Sequence, residues 1–95
     1  MTAYIVADVE VTDPTEYQTY TKQVMATLEP YNGKFIVRGG NAQTLEGGWQ
    51  PQRFVIIEFP GVEQAKAWYN SPEYTAIIGI RHSAANSRMI LVQGV

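Results

Sequence analysis

Three charges stand at positions where a strand pattern calls for apolar side chains: Asp8, Arg38 and Glu58, one in each of three β-type runs and of consistent parity. An arginine set among apolar neighbours holds an anionic group through its fork of N–H donors. A carboxylate beside it is a proton acceptor. Together they describe a pocket for a small anionic or carbonyl-containing molecule, with Arg38 binding and Glu58 or Asp8 handling the proton. The competing reading is an internal ion-pair network that only fixes the register of two subunits. On spacing alone the network is favoured, because structural pairs also perturb carboxylates.

Other chemistry-bearing residues carry weaker signals. Trp49 lies in Glu46-Gly47-Gly48-Trp49-Gln50-Pro51, a polar loop with no helical or strand face for it to join; it either closes over a pocket or caps a partner subunit. Trp68 stands at helical spacing with Ala65 and belongs to the core. Arg38-Gly39-Gly40 reads as turn geometry rather than a phosphate cradle, since no helix N-terminus follows it. His82 is the one histidine, so a multi-histidine metal site is ruled out and no metal is expected. Beside Arg81 at a helix end, it reads as a solvated residue favoured by the helix dipole, with haem ligation or general-base work as the alternative. Serines 71, 83 and 87 lack a Gly-x-Ser-x-Gly elbow.

The elements that must position these residues follow from the pattern. Residues 3–11 are a β-branched apolar run and form the first strand. Asp13-Pro14-Thr15-Glu16 is a cap, a proline at the first helical position and a capping-box carboxylate. Tyr17, Tyr20, Val24 and Leu28 follow as one helical stripe, ended by Pro30 and Asn32-Gly33. Residues 34–38 and 52–59 are strands two and three, separated by a polar loop over 41–51. Val62 to Tyr69 is a second helix, Ser71-Pro72 starts a further helical stretch with Tyr74, Ile77, Ile78 and Arg81, and residues 87–93 are the last strand. The order β-α-β-β-α-β is the split βαβ unit of the ferredoxin-like α+β fold: a four-stranded antiparallel sheet with its helices on one face.

Parity then exposes a difficulty. Ile5, Ala7, Val9 and Val11, with Val55, Ile57 and Phe59, suit the helix-covered face. The opposite set should be polar if it met water. Instead it comprises Tyr4, Val6 and Asp8, Ile36 and Arg38, and Phe54, Ile56 and Glu58, while strand four is apolar in both phases. Leaving about eight large apolar side chains wet forfeits on the order of 10 kcal/mol, comparable to a whole domain's stability. A homodimer with the two sheets facing each other across a two-fold axis resolves this; the competing solution is the 41–51 loop folded over the sheet.

The remaining composition bounds the answer. Ninety-five residues suit a single domain spanning 1–95. Net charge is −2 with seven scattered basic residues, so neither nucleic acid nor an anionic membrane surface finds its electrostatic footprint. Cysteine is absent, which removes disulfides, thiol nucleophiles and thiolate metal sites and fits a reducing compartment. The N-terminus lacks a signal-peptide pattern and no run approaches about 18 apolar residues, so a cytoplasmic location is expected.

The segments Phe35-Ile36-Val37-Arg38-Gly39-Gly40, Leu45-Glu46-Gly47-Gly48-Trp49, Pro51 through Pro60 and Ala67 through Tyr74 together resemble the domain of unknown function 1330 family, over essentially the whole chain. That family resembles the dimeric α+β-barrel superfamily, which implies small-molecule pockets between sheet and helices and includes cofactorless monooxygenases, haem-degrading enzymes, isomerases and dehalogenases. The resemblance implies Arg38, Trp49, Arg53, Glu58, Ser71, Tyr74 and Arg81 as pocket residues, to which parity adds Asp8; His82 is outside the pattern. Three functions follow. The first is a small-molecule binder or enzyme working without metal or bound cofactor, with Arg38 and Arg81 on the anion. The second is a non-catalytic dimeric module whose charges are structural. The third is haem binding, since Asp8, Trp68 and His82 fall in an order similar to the Asn, Trp and His of a haem-degrading relative, with Asp in place of Asn.

Overall fold

A computed structural model describes residues 1–95. Asp13 Oδ1 accepts from Glu16 N at 3.1 Å, and Pro14 opens the first turn of helix α1, Pro14–Leu28. The stripe Tyr17, Tyr20, Val24 and Leu28 is buried, as its spacing requires. A short 3-10 turn, Glu29–Tyr31, ends on Asn32 in the left-handed region. The other elements are β1 (Ala3–Val11), β2 (Lys34–Arg38), β3 (Phe54–Phe59), α2 (Val62–Tyr69), α3 (Pro72–Ala84) and β4 (Ala85–Gln93). All strand pairs are antiparallel in the order β2-β3-β1-β4, so the chain has the ferredoxin-like α+β fold.

One face of the sheet carries the core. Ile5, Ala7 and Val9 of β1 and Val55, Ile57 and Phe59 of β3 pack beneath the helices with Trp68, Tyr74 and Ile77. Trp68 is fully buried, and its indole Nε1 donates to Thr27 Oγ1 at 3.0 Å; that hydroxyl in turn donates to Val24 O. The Trp68 and Tyr74 ring centroids are 4.0 Å apart, so α2, α3 and α1 share one aromatic cluster.

Two boundaries and one register differ from the sequence reading. Strand three starts at Phe54 rather than 52, because the Gln52 N–H turns to Asp8 Oδ1 (3.0 Å) instead of entering a ladder. Strand four starts at Ala85 rather than 87: α3 runs into it without a loop, Ala85 pairs with Val11, and Ala84 O accepts the N–H groups of Thr12 and Asp13. The third concerns β2, whose register slips between Phe35 and Val37. Ile36 is the extra residue of a β-bulge, and every side chain after it changes face.

The molecule measures 36 × 35 × 16 Å, thin because nothing is layered on the second face of the sheet. There Ile36, Ile90 and Val92 are 47, 63 and 44 % exposed, and Tyr4, Val6, Phe54 and Ile56 are half-buried. The 41–51 loop covers little of it: only Trp49 lies over Phe54, edge to face at 5.9 Å. No helix is long and apolar enough to cross a membrane.

The Thr27 hydroxyl can be tested against its isostere. Thr27→Val keeps the packing but leaves the buried Trp68 N–H without an acceptor, which costs about 1–3 kcal/mol. Chemical denaturation should show a lower midpoint with an unchanged slope.

Candidate functional site

The bulge at Ile36 decides where the chemistry sits. Uninterrupted alternation would put Arg38 on the open face beside Asp8 and Glu58. With one residue inserted, Arg38 pairs across from the core residue Val55, while Val37 pairs with Ile56 on the open face. The expected grouping of Asp8, Arg38 and Glu58 on one face is therefore corrected: the arginine is on the helix side, the two carboxylates on the other.

On the helix side Arg38, Arg53 and Arg81 line one small cavity, of ≈ 30 Å³, between β1, β3 and α1. No carboxylate lines it, and neither ion pair of the molecule involves these arginines. Aromatic faces and hydroxyls hold them instead. Arg38, exposed at the cavity mouth, lies 4.7 Å over the Phe35 ring, and Arg53 lies 5.8 Å from the Tyr17 ring. Such stacking engages the face of a guanidinium and leaves its in-plane N–H donors available. Arg53 Nε is buried and donates to no protein acceptor. Gly39 makes room for this side chain: its φ is +71°, and a Cβ there would sit 2.5 Å from Arg53 Nη1. The Arg-Gly-Gly turn thus serves close approach to an arginine as well as turning the chain.

Arg81, in the last turn of α3, is only 4 % exposed. Its Nε donates to the Tyr74 hydroxyl at 3.2 Å, and a second nitrogen lies 3.5 Å from His82 Nε2. The Tyr74 and Tyr20 hydroxyls are 2.8 Å apart. Burial first, then the neighbouring Tyr74, pushes the Tyr20 phenol far above its ordinary value, so it stays a neutral donor. Ser71 acts one step behind: it caps α3 by accepting from Tyr74 N (3.1 Å) and donates to Trp68 O (2.7 Å). Neither Ser71 nor Tyr74 lines the cavity; they set Arg81 and Tyr20.

The open face collects the other expected residues in two separate clusters. Asp8 accepts from Trp49 Nε1 (3.1 Å) and Gln52 N (3.0 Å) and pairs with Arg88 at 3.5 Å. Glu58 pairs with Lys34 at 3.1 Å, its cross-strand neighbour. Both carboxylates therefore have structural partners. Asp8, Trp68 and His82 do not meet: the first is on the open face, the second in the core, the third exposed on α3. No group of three or more His, Asp or Glu side chains is placed to hold a metal ion.

Sequence reasoning left out Tyr17 and Tyr20 by absorbing them into the apolar stripe of α1. The available signal was their hydroxyls, since a buried tyrosine normally finds a polar partner that leucine or phenylalanine would not need.

The Asp8 latch has a definite pH dependence. Trp49 is the largest influence holding the Asp8 carboxyl below its ordinary 3.8; partial burial opposes it, and Gln52 and Arg88 add to the lowering. A depressed carboxyl stabilises the docked loop above its unfolded value and loses that contribution as pH falls through the lower folded value. Acrylamide quenching of Trp49 should rise on acidification below pH 3.8, and at neutral pH in Asp8→Ala, with buried Trp68 as an unresponsive reference. Equal quenching of Asp8→Ala and wild type would show that the carboxylate does not hold the loop.

Comparison with known proteins agrees with this architecture. A protein of unknown function from Rhodopseudomonas palustris, RPA0582, superposes with a TM-score of 0.80 at 20% identity, covering 99% of this chain and 82% of that one. SnoaB, a cofactor-independent oxygenase from Streptomyces nogalater, gives 0.68 at 14% identity over 99% and 93%. A dimeric ferredoxin-like protein of unknown function from Thermobifida fusca gives 0.57 at 16% identity over 99% and 92%. No curated protein matches the sequence. The model of one family, Domain of unknown function (DUF1330), matches residues 2–95, and the chain belongs to that family.

Proposed function

We propose that this chain binds a small anionic or carbonyl-containing molecule between its sheet and helices, and that it does so as a homodimer. The observation that carries the binding reading is the cavity lined by Arg38, Arg53 and Arg81 with no carboxylate among its walls. Buried cations normally come with a counter-charge. Here the compensation inside the subunit is limited to hydroxyls, aromatic faces and, for Arg81, the negative end of the α3 dipole. An anion entering at Arg38 supplies the missing charge.

Whether binding leads to a reaction turns on the carboxylates. Asp8 and Glu58, the expected proton acceptors, lie on the far side of the sheet from the three arginines. Within one subunit no carboxylate reaches the cavity, which favours binding over proton abstraction by this chain's own acids. The likeness to SnoaB, a cofactor-independent oxygenase, supports the alternative in which the bound molecule reacts without a cofactor.

The dimer rests on the apolar open face. Ile36, Ile90 and Val92 stand exposed beside Tyr4, Val6, Phe54 and Ile56, and two copies pairing face to face bury them together. The likeness to the Thermobifida fusca protein, which is dimeric, supports a homodimer.

Two measurements test these readings. Arg38→Ala removes a charged donor at the mouth without touching the core, and should weaken binding of a small organic anion about 10- to 100-fold by isothermal titration calorimetry. Wild-type affinity in that variant would overturn the site. Ile90→Lys puts a charge into the apolar open face of each copy, so sedimentation should show a monomer where the wild type is a dimer. A wild type that sediments as a monomer would end the dimer reading.

A further inference from the structure

The hydroxyl pair behind Arg81 has a fixed direction. Tyr74 is fully buried, and its hydroxyl meets two groups: Arg81 Nε, which can only donate, and the Tyr20 hydroxyl. Were Tyr20 to donate to Tyr74, the Tyr74 proton would have no acceptor, a costly arrangement in a dry core. The satisfied order runs from Arg81 Nε–H to the Tyr74 oxygen, then from Tyr74 O–H to the Tyr20 oxygen. That leaves the proton of Tyr20 uncommitted. Tyr20 lines the arginine cavity and Tyr74 does not.

We infer that Tyr20 presents its hydroxyl proton to the ligand, and that the ligand enters as a planar two-oxygen carboxylate head group. This deepens the binding reading above and rests on it. Two further observations fix the ligand class. The polar groups on the cavity walls are three guanidiniums, two phenols and the Thr21 hydroxyl, with no carboxylate, imidazole or amide side chain. The Thr21 hydroxyl gives its proton to Gln18 O, which leaves its oxygen as a neutral acceptor. An ammonium group finds no charged partner there, whereas an oxyanion finds donors on several sides. Ten of the fourteen residues lining the ≈ 30 Å³ cavity are hydrophobic, so its few donors serve one small head group. That suits the two oxygens of a singly charged carboxylate better than the four of a phosphate, some of which would be turned onto apolar wall. Tyr20 orients the head group as a binding and positioning residue; its high proton affinity makes it no acid catalyst.

The test uses sodium acetate and inorganic phosphate as probes, each against sodium chloride of equal ionic strength. Thermal midpoints follow occupancy by mass action. Acetate should raise the wild-type midpoint and phosphate should not. Tyr20→Phe keeps the ring and loses the hydroxyl, and its apparent acetate affinity should fall about tenfold. In the wild type, the Tyr20 hydroxyl proton, observed by NMR, should move downfield as acetate is added, a readout independent of any variant's stability. No response to either anion would remove the binding reading itself. An acetate response undiminished in Tyr20→Phe, with an unmoved hydroxyl proton, would leave that reading standing and overturn the role of Tyr20. A phosphate response equal to that of acetate would overturn the carboxylate selection.

Discussion

A guanidinium inside a protein keeps its charge, so Arg81 must be accommodated as a cation although it is almost entirely buried. Much of the arrangement around it answers that requirement. Tyr74 accepts from its Nε, Ser71 fixes the first turn of α3 that carries Tyr74, and Tyr20 closes the series from α1. The packing of α1 on α3 is thus organised around a polar spine within an apolar layer. Such a spine is stabilising only when each member is satisfied. Its one uncommitted hydrogen and the free donors of Arg53 both belong to residues on the wall of the same cavity.

The open face follows a different logic. Its charges are paired locally: Glu58 with Lys34 directly across the ladder, Asp8 with Arg88 and the loop groups. Exposed pairs of this kind contribute little to stability. Their effect is to specify position. Asp8 gathers the chain between β2 and β3 and places Trp49 against Phe54, so the loop becomes a short rim beside the apolar face rather than a cover over it.

Much of the fold was legible in the residues. Asp13-Pro14 and Ser71-Pro72 mark helix starts through short-range chemistry, and the stripe from Tyr17 to Leu28 reads directly as a buried face. The two-sided apolar pattern of β1 and β3 likewise foretold a sheet with one uncovered side. The site was less legible because it depends on one inserted residue. Nothing in Lys-Phe-Ile-Val-Arg distinguishes a regular strand from one bulged at Ile36; the bulge is set by pairing with β3, some twenty residues away. Parity therefore sent Arg38 to the wrong side and joined it to carboxylates it does not meet. Arg53 and Arg81 converge on one cavity, a long-range property that local spacing does not encode.

The passage from α3 into β4 has a mechanical consequence. With no turn between them, and with Ala84 O tying the junction to Thr12 and Asp13, the backbone three residues beyond Arg81 is already gripped by the central strand. There is no slack by which that wall could retreat. Nor do Arg38 and Arg53 stand on slack chain: Arg38 pairs with Val55, Gly39 N donates to Phe54 O and Arg53 O accepts from Val9 N. The calibre of the cavity is therefore set by the sheet and by the α3 junction together, and a guest is selected by how it fits the resting space.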